Sequence, residues 1–282
     1  MTGVCKLCGF VKKLMHSHIV PAFYIKSREA WVKTGTHGEA KPHSLVMSTK
    51  PDLKDGWMER GYWEKQLGWK EYLLCNDCEG RFQDPENKIR DFLYGNAPQP
   101  LKKQALGALI TPSAPLPPNL APGLLGIREV AIDYRALTLF QMSLLWRASV
   151  ARGEFFKNVD LGQRHEKILR DLLVSGDPAT ETDYPCVMYD LQSDKVEFEN
   201  YTEEPTLARD CDGQGQRTYR MILGGYAFLY SVSAHPSSQM FRDFCAKPSG
   251  KMLLLVYTGE KFLERAAMGL QKAGKLVLHP VP

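Results

Sequence analysis

Cys5-Lys6-Leu7-Cys8-Gly9 and Cys75-Asn76-Asp77-Cys78-Glu79 decide how the N-terminal third of this chain folds. Two residues between cysteines let both sulfurs of a tight turn reach one tetrahedral centre, while the N–H groups of the turn soften the thiolate charge. Gly9 suits a knuckle that must turn sharply. Between the pairs lie 66 residues, against roughly 15–20 in a compact four-cysteine finger, so a substantial insertion is expected. The chain has seven cysteines. In a sequence with no export signal, two CxxC pairs point to metal ligation, because disulfides do not persist in a reducing compartment. The first prediction is therefore a zinc-stabilised domain over residues 1–97, held by Cys5, Cys8, Cys75 and Cys78. In small zinc peptides such a site contributes on the order of 10 kcal/mol to folding. Cys186, Cys211 and Cys245 stand apart from one another and read as free buried thiols.

Working outward, 282 residues suggest two domains. Apolar content of 44% with 24% charged residues excludes wholesale disorder and fibrous repeats, and no internal repeat is present. No run approaches the roughly 18 apolar residues of a membrane span, and the opening Met1-Thr2-Gly3-Val4-Cys5 lacks a secretory core. A soluble, cytoplasmic chain without a membrane partner is the expectation. The net charge of +4 does not by itself announce a nucleic-acid binder. Its distribution is more suggestive, because residues 1–60 hold ten Lys/Arg against five Asp/Glu. Lys12, Lys13, Lys26 and Arg28 are the candidate phosphate contacts within that excess. Interleaved aromatics such as Phe23, Tyr24, Trp31, Trp57, Tyr62 and Trp63 read as core.

Periodicity predicts an extended segment over Phe10 to Pro21, a short helix from Ala22 toward Trp31, and loop with a hairpin over 33–60. Tyr72-Leu73-Leu74 leads into the second CxxC, and from Glu79 the spacing of Phe82, Ile89, Phe92 and Leu93 is helical until Gly95-Asn96. Seven prolines within residues 96–126 exclude a long helix or central strand, which makes 98–127 a linker or wrapping segment. Over 128–282 a second α+β domain is expected. Its nearly all-apolar helix, Tyr134 to Ala151, is predicted to lie at the centre, and a second helix runs Leu161 to Val174. Strands follow at Cys186 to Tyr189, Val196 to Phe198, Tyr219 to Leu223, Tyr226 to Val232 and Met252 to Tyr257, forming an antiparallel sheet. Phe262 to Ala273 reads as helix and Leu276-Val277-Leu278 as a last strand. Arg147 reads as a buried arginine satisfied by nearby acids, and Gly213-Gln214-Gly215 as a turn. The fold class is α+β.

Between the CxxC pairs stands His16-Ser17-His18-Ile19-Val20-Pro21. Together with Cys5/Cys8 and Cys75/Cys78-Glu79, this stretch resembles the HNH, or His-Me finger, endonucleases, especially the branch that includes recombination endonuclease VII. Over residues 1–95 the resemblance implies a treble-clef finger carrying a ββα-metal site. It further implies His18 as general base and Glu79 as ligand of a catalytic Mg²⁺ or Mn²⁺, beside a structural Zn²⁺. By strand alternation His16 shares a face with His18 and is a possible second ligand; Glu86 follows Glu79 two helical turns later on the same face. The substrate implied is DNA, with RNA left open, in a role in bacterial defence. A second copy of the chain or a defence-system protein is a possible partner, and residues 128–282 would control substrate choice or activation. Two positions depart from the family. Ser17 stands where an Asp or His commonly ligates the metal, and Trp69-Lys70-Glu71-Tyr72 offers no counterpart of the middle Asn. A non-catalytic zinc module that binds nucleic acid or organises an assembly is the alternative expectation.

Overall fold

The computed structural model describes residues 1–26, 45–47, 69–95, 101, 109, 123–192, 201–209 and 216–258. Trp31, Trp57, Tyr62, Trp63, most of the expected 33–60 loop, Val196 to Phe198, Cys211, Gly213 to Gly215, the helix expected at Phe262 to Ala273 and the strand at 276–278 lie outside the described residues.

Strand β1 (Thr2–Val4) pairs antiparallel with β2 (Val11–His18), and β2 pairs antiparallel with β4 (Lys70–Cys75), giving a three-stranded sheet. The first knuckle is the turn between β1 and β2. Gly9 takes φ +77°, and its N–H donates to the Cys5 carbonyl at 2.9 Å, a left-handed geometry that favours glycine. β4 runs straight into helix α2 (Asn76–Tyr94), so Cys78 falls in the first helical turn. The apolar positions read from the sequence, Phe82, Ile89, Phe92 and Leu93, are its buried face. Gly95 ends it in the left-handed region at φ 111°, as a helix C-cap glycine does. After β2, α1 (Phe23–Lys26) buries Tyr24 among Phe23, Tyr94, Phe140 and Phe228.

The larger sheet has the order β3-β7-β8-β9-β6-β10-β5, with β3 (Leu45–Met47), β5 (Leu124–Ala131), β6 (Cys186–Gln192), β7 (Tyr201–Arg209), β8 (Arg217–Leu223), β9 (Tyr226–Val232) and β10 (Lys251–Thr258). It is mixed rather than wholly antiparallel as the strand pattern suggests: β10 runs parallel to β6, and β3 parallel to β7. The reason lies in connection length. Strands β7 to β9 and a short helix, α5 (Gln239–Phe244), intervene between β6 and β10, ample for the crossover that a parallel pair requires. β5 begins just after the proline-rich stretch and occupies an edge. β7 carries Pro205 at an irregularity between Glu203 and Thr206, one of the few places where a strand accepts proline; that proline hides the strand from a propensity reading.

Helices α3 (Tyr134–Val150) and α4 (Gly162–Ser175) complete the described elements, with a 3₁₀ turn (Glu154–Phe156) between them. From Ala136 to Ala148 every residue of α3 is buried, as its apolar circumference predicts. One face of the large sheet joins a buried cluster that takes in Leu137, Phe140 and Trp146 of α3, Phe92 and Leu93 of α2, and the finger residues Leu14, Ile19 and Leu74. The other face packs Met240, Phe241 and Phe244 of α5. The N-terminal sheet with its four cysteines and the larger sheet thus share one core. Cys186 and Cys245 are buried free thiols. Among the described residues no helix is long and apolar enough to cross a membrane.

Candidate metal centre

Turn and helix geometry brings four sulfurs together. The ligand atoms of Cys5, Cys8, Cys75 and Cys78 all lie within 4.8 Å of one another, and Cys8 Sγ is 3.9 Å from Cys75 Sγ. Four thiolates at the usual Zn–S distance of about 2.3 Å stand about 3.8 Å apart, so the arrangement fits a tetrahedral metal such as zinc. The Cys75 N–H donates to Cys5 Sγ at 3.3 Å, the backbone-to-sulfur bond expected of a knuckle. Burial pushes the Cys5 thiol up, but backbone hydrogen bonds from Cys8, Cys75 and Leu7 outweigh it and bring the pKa down to about 7. Burial drives Cys78 strongly upward, reinforced by its bonds to Cys75 and Cys5. Four soft donors, three of them buried, suit a closed structural site rather than one holding water for chemistry. Among the described residues this is the one group of three or more His, Cys, Asp or Glu side chains whose ligand atoms converge.

Beside the centre, the first turns of α2 open onto a cavity of about 320 Å³ lined by Asn76, Glu79, Phe82, Gln83, Glu86 and Arg147. Among the described residues, Glu79 Oε2 is buried without a hydrogen-bond partner. A buried oxygen in that condition is costly unless something fills its lone pairs. Glu86 is engaged instead: Arg147 Nη2 donates to its Oε1 at 2.6 Å. Arg147, only 2% exposed, also donates through Nη1 to the His18 carbonyl at 2.8 Å, and lies over the Phe82 ring at 5.1 Å. The expectation of a buried arginine satisfied by an acid therefore holds.

His18 is the last residue of β2, half-buried and opposite Lys70. The next residue donates its N–H to the Trp69 carbonyl at 2.8 Å, and the Tyr24 N–H closes a turn on the Pro21 carbonyl at 3.1 Å, so backbone bonds hold the chain that follows it. Ser17 is fully buried. His16 is exposed and stacks on Tyr72 with ring centroids 5.0 Å apart; the register shift between Leu14 and His16 makes both Met15 and His16 exposed. Of the four basic candidates, Lys12 is paired with Asp77 at 2.8 Å, tying the hairpin to the helix start, and Lys13 is exposed. The Lys26 side chain and Arg28 lie outside the described residues. Sequence reasoning missed Glu71, whose carboxylate accepts the N–H groups of Arg152 at 3.0 Å and Gly153 at 2.7 Å. No local signal could reveal a partner eighty residues away.

Fold and site together define an α+β protein organised around a four-cysteine cluster able to hold a metal such as zinc. No known protein family, curated protein or solved structure matches the chain, so any finer reading rests on residues and geometry.

Proposed function

We propose that this chain is a divalent-cation-dependent endonuclease of the HNH, or His-Me finger, type, acting on DNA, with its four cysteines forming a zinc-bound treble clef. The observation that carries this reading is Glu79 Oε2, without a hydrogen-bond partner among the described residues, in a cavity whose Arg147 wall also grips the main chain of His18. A carboxylate oxygen without a donor, beside the Asn76 and Gln83 amides, fits a hard cation that keeps most of its waters and takes one or two protein carboxylates. Held by Glu79, such a cation would supply electrostatic stabilisation to the charge that develops on the phosphate during cleavage. His18 takes a proton from the attacking water. The water oxygen bonds to phosphorus as the bond to the 3′ oxygen breaks, leaving a 5′ phosphate and a 3′ hydroxyl protonated from solvent. Glu79 would hold the cation, and Lys13, exposed on β2, is the described basic side chain offered to a phosphate.

The test incubates zinc-loaded protein with supercoiled plasmid. Nicking is expected with Mg²⁺ or Mn²⁺ and not with EDTA added briefly, and a fall on the order of 10³-fold in His18→Ala with zinc content intact, within the range that loss of a general base gives. Wild-type protein that leaves DNA and RNA uncut under all divalent ions overturns the reading. It would favour the second one, a non-catalytic zinc module that binds nucleic acid or assembles with a partner. Buried Ser17 and the His16 ring stacked on Tyr72 speak for that alternative, because neither position then serves a cation.

A further inference from the structure

The residue that joins the two halves at the cavity is Arg147 on α3, far from the finger in sequence and absent from any motif. Its side chain is 2% exposed, and its donors are spent on four acceptors: the His18 carbonyl at 2.8 Å, Glu86 Oε1 at 2.6 Å, the Ser143 carbonyl at 3.3 Å and Ser143 Oγ at 3.3 Å. A planar fork with five N–H groups can hold a main-chain oxygen and a carboxylate at once, which a lysine ammonium cannot do in fixed geometry. The ring of Phe82 beneath the guanidinium adds a further restraint. A surface-stabilising ion pair would need none of this.

Resting on the nuclease reading above, we propose that Arg147 is the positioning residue of the site, fixing the main chain of His18 and balancing the charge of Glu86 so that the cavity holds its cation on Glu79. Two consequences follow from charge and geometry. Without the guanidinium, Glu86 becomes a second unbalanced carboxylate facing the space that Glu79 faces, so a divalent cation binds more tightly but is drawn away from Glu79, while the strand end bearing His18 loosens. Without the Glu86 charge, Arg147 stands unopposed in the cavity wall, and the cation is repelled. The two changes shift cation affinity in opposite directions and cancel when combined. Helix α3 is then half of the reaction centre, and residues beyond the proline-rich stretch matter to the chemistry because they carry Arg147.

The experiment uses full-length zinc-loaded protein and its Arg147→Lys, Arg147→Gln, Glu86→Gln and Glu86→Gln/Arg147→Gln variants. Mn²⁺ binding is measured by calorimetry, and kcat and KM on plasmid DNA at saturating Mn²⁺. In a cavity open to solvent, one unit charge about 6 Å from a divalent cation is worth about a tenfold change in affinity at water-like dielectric, so Glu86→Gln should raise the Mn²⁺ Kd about tenfold and Arg147→Gln lower it by about the same. The double variant should return to within about threefold of wild type, because the two opposite charge changes cancel. Both Arg147 variants should lose kcat, about tenfold for Lys and on the order of 100-fold for Gln, with KM little changed. Single variants that shift Mn²⁺ affinity in the same direction, or that leave Kd and kcat within about twofold of wild type at unchanged zinc content, overturn the proposal. Where Arg147→Gln fails to fold, Glu86→Gln decides alone: weakened Mn²⁺ binding supports the proposal, and unchanged binding overturns it. A wild-type protein that neither binds Mn²⁺ nor cuts nucleic acid brings down the nuclease reading and this one together, whereas an active wild type with indifferent variants brings down this one only.

Discussion

Glu71 carries more of the architecture than its place in the sequence suggests. Its carboxylate receives three N–H contacts from Arg152 and Gly153, and a methyl group on Gly153 would stand 3.1 Å from Glu71 Oε1, so that glycine provides the close approach. Hydrogen bonds to a charged acceptor are worth about 1.5–3 kcal/mol, and Glu71→Ala should cost about 2 kcal/mol in urea unfolding, with Gly153→Ala a smaller loss. His165 offers a second single-residue test. Burial, with the nearby Arg164 and Arg217 charges, holds its pKa below the usual 6.5, and its Nδ1 meets the Tyr184 hydroxyl at 2.9 Å. The unfolded chain therefore binds the proton first as pH falls, so this histidine's contribution is present above pH 6.5 and is lost on acidification below it. Denaturant titrations from pH 7 to pH 5 should show a smaller acid-induced loss in His165→Gln than in wild type. Equal slopes would contradict the assignment.

At the scale of elements, ends and caps do the joining. Asp133 caps α3 by accepting the Ala136 N–H at 2.9 Å and also meets Lys88 of α2 at 3.3 Å. Asp133→Ala should lower stability by about 1 kcal/mol, read as a shift in urea midpoint, while Lys88→Ala should cost less, since both side chains of that pair are about half exposed. Helices α2, α3 and α4 and strands β6, β8, β9 and β10 were legible because their apolar periods are long and clean. β5 and β7 were not. The first follows a proline cluster that reads as linker, and the second contains Pro205, tolerated only because the ladder is irregular there. The short α5 offers six residues, too few for a period to register. The four thiols were equally plain from spacing alone, since a knuckle is a local object. Arg147 and Glu71 were opaque as site residues for the opposite reason: their partners are distant in sequence, and only the folded chain says which carbonyl or carboxylate each one meets.

For the molecule as a whole, the N-terminal cysteine-bearing region is bound to the rest by more than contact. Arg147 reaches His18 and Glu86, Glu71 reaches Arg152 and Gly153, Arg81 donates to the Val174 carbonyl at 2.8 Å, and Trp69 stacks on Phe155 with centroids 4.0 Å apart. A division at the proline-rich segment, natural from composition, cuts through a shared core. A fragment ending at Ala97 should expose the Phe92 and Leu93 face of α2 and aggregate or show no dispersed amide spectrum even with zinc, and a chelator should unfold the whole chain in one transition rather than the finger alone. The most direct measurement is X-ray absorption at the zinc edge of the purified full-length protein, with metal content determined on the same sample. One zinc per chain in a shell of four sulfurs at about 2.3 Å is predicted. Protein that is folded without zinc, or whose zinc is bound by nitrogen and oxygen, would contradict the account at its root.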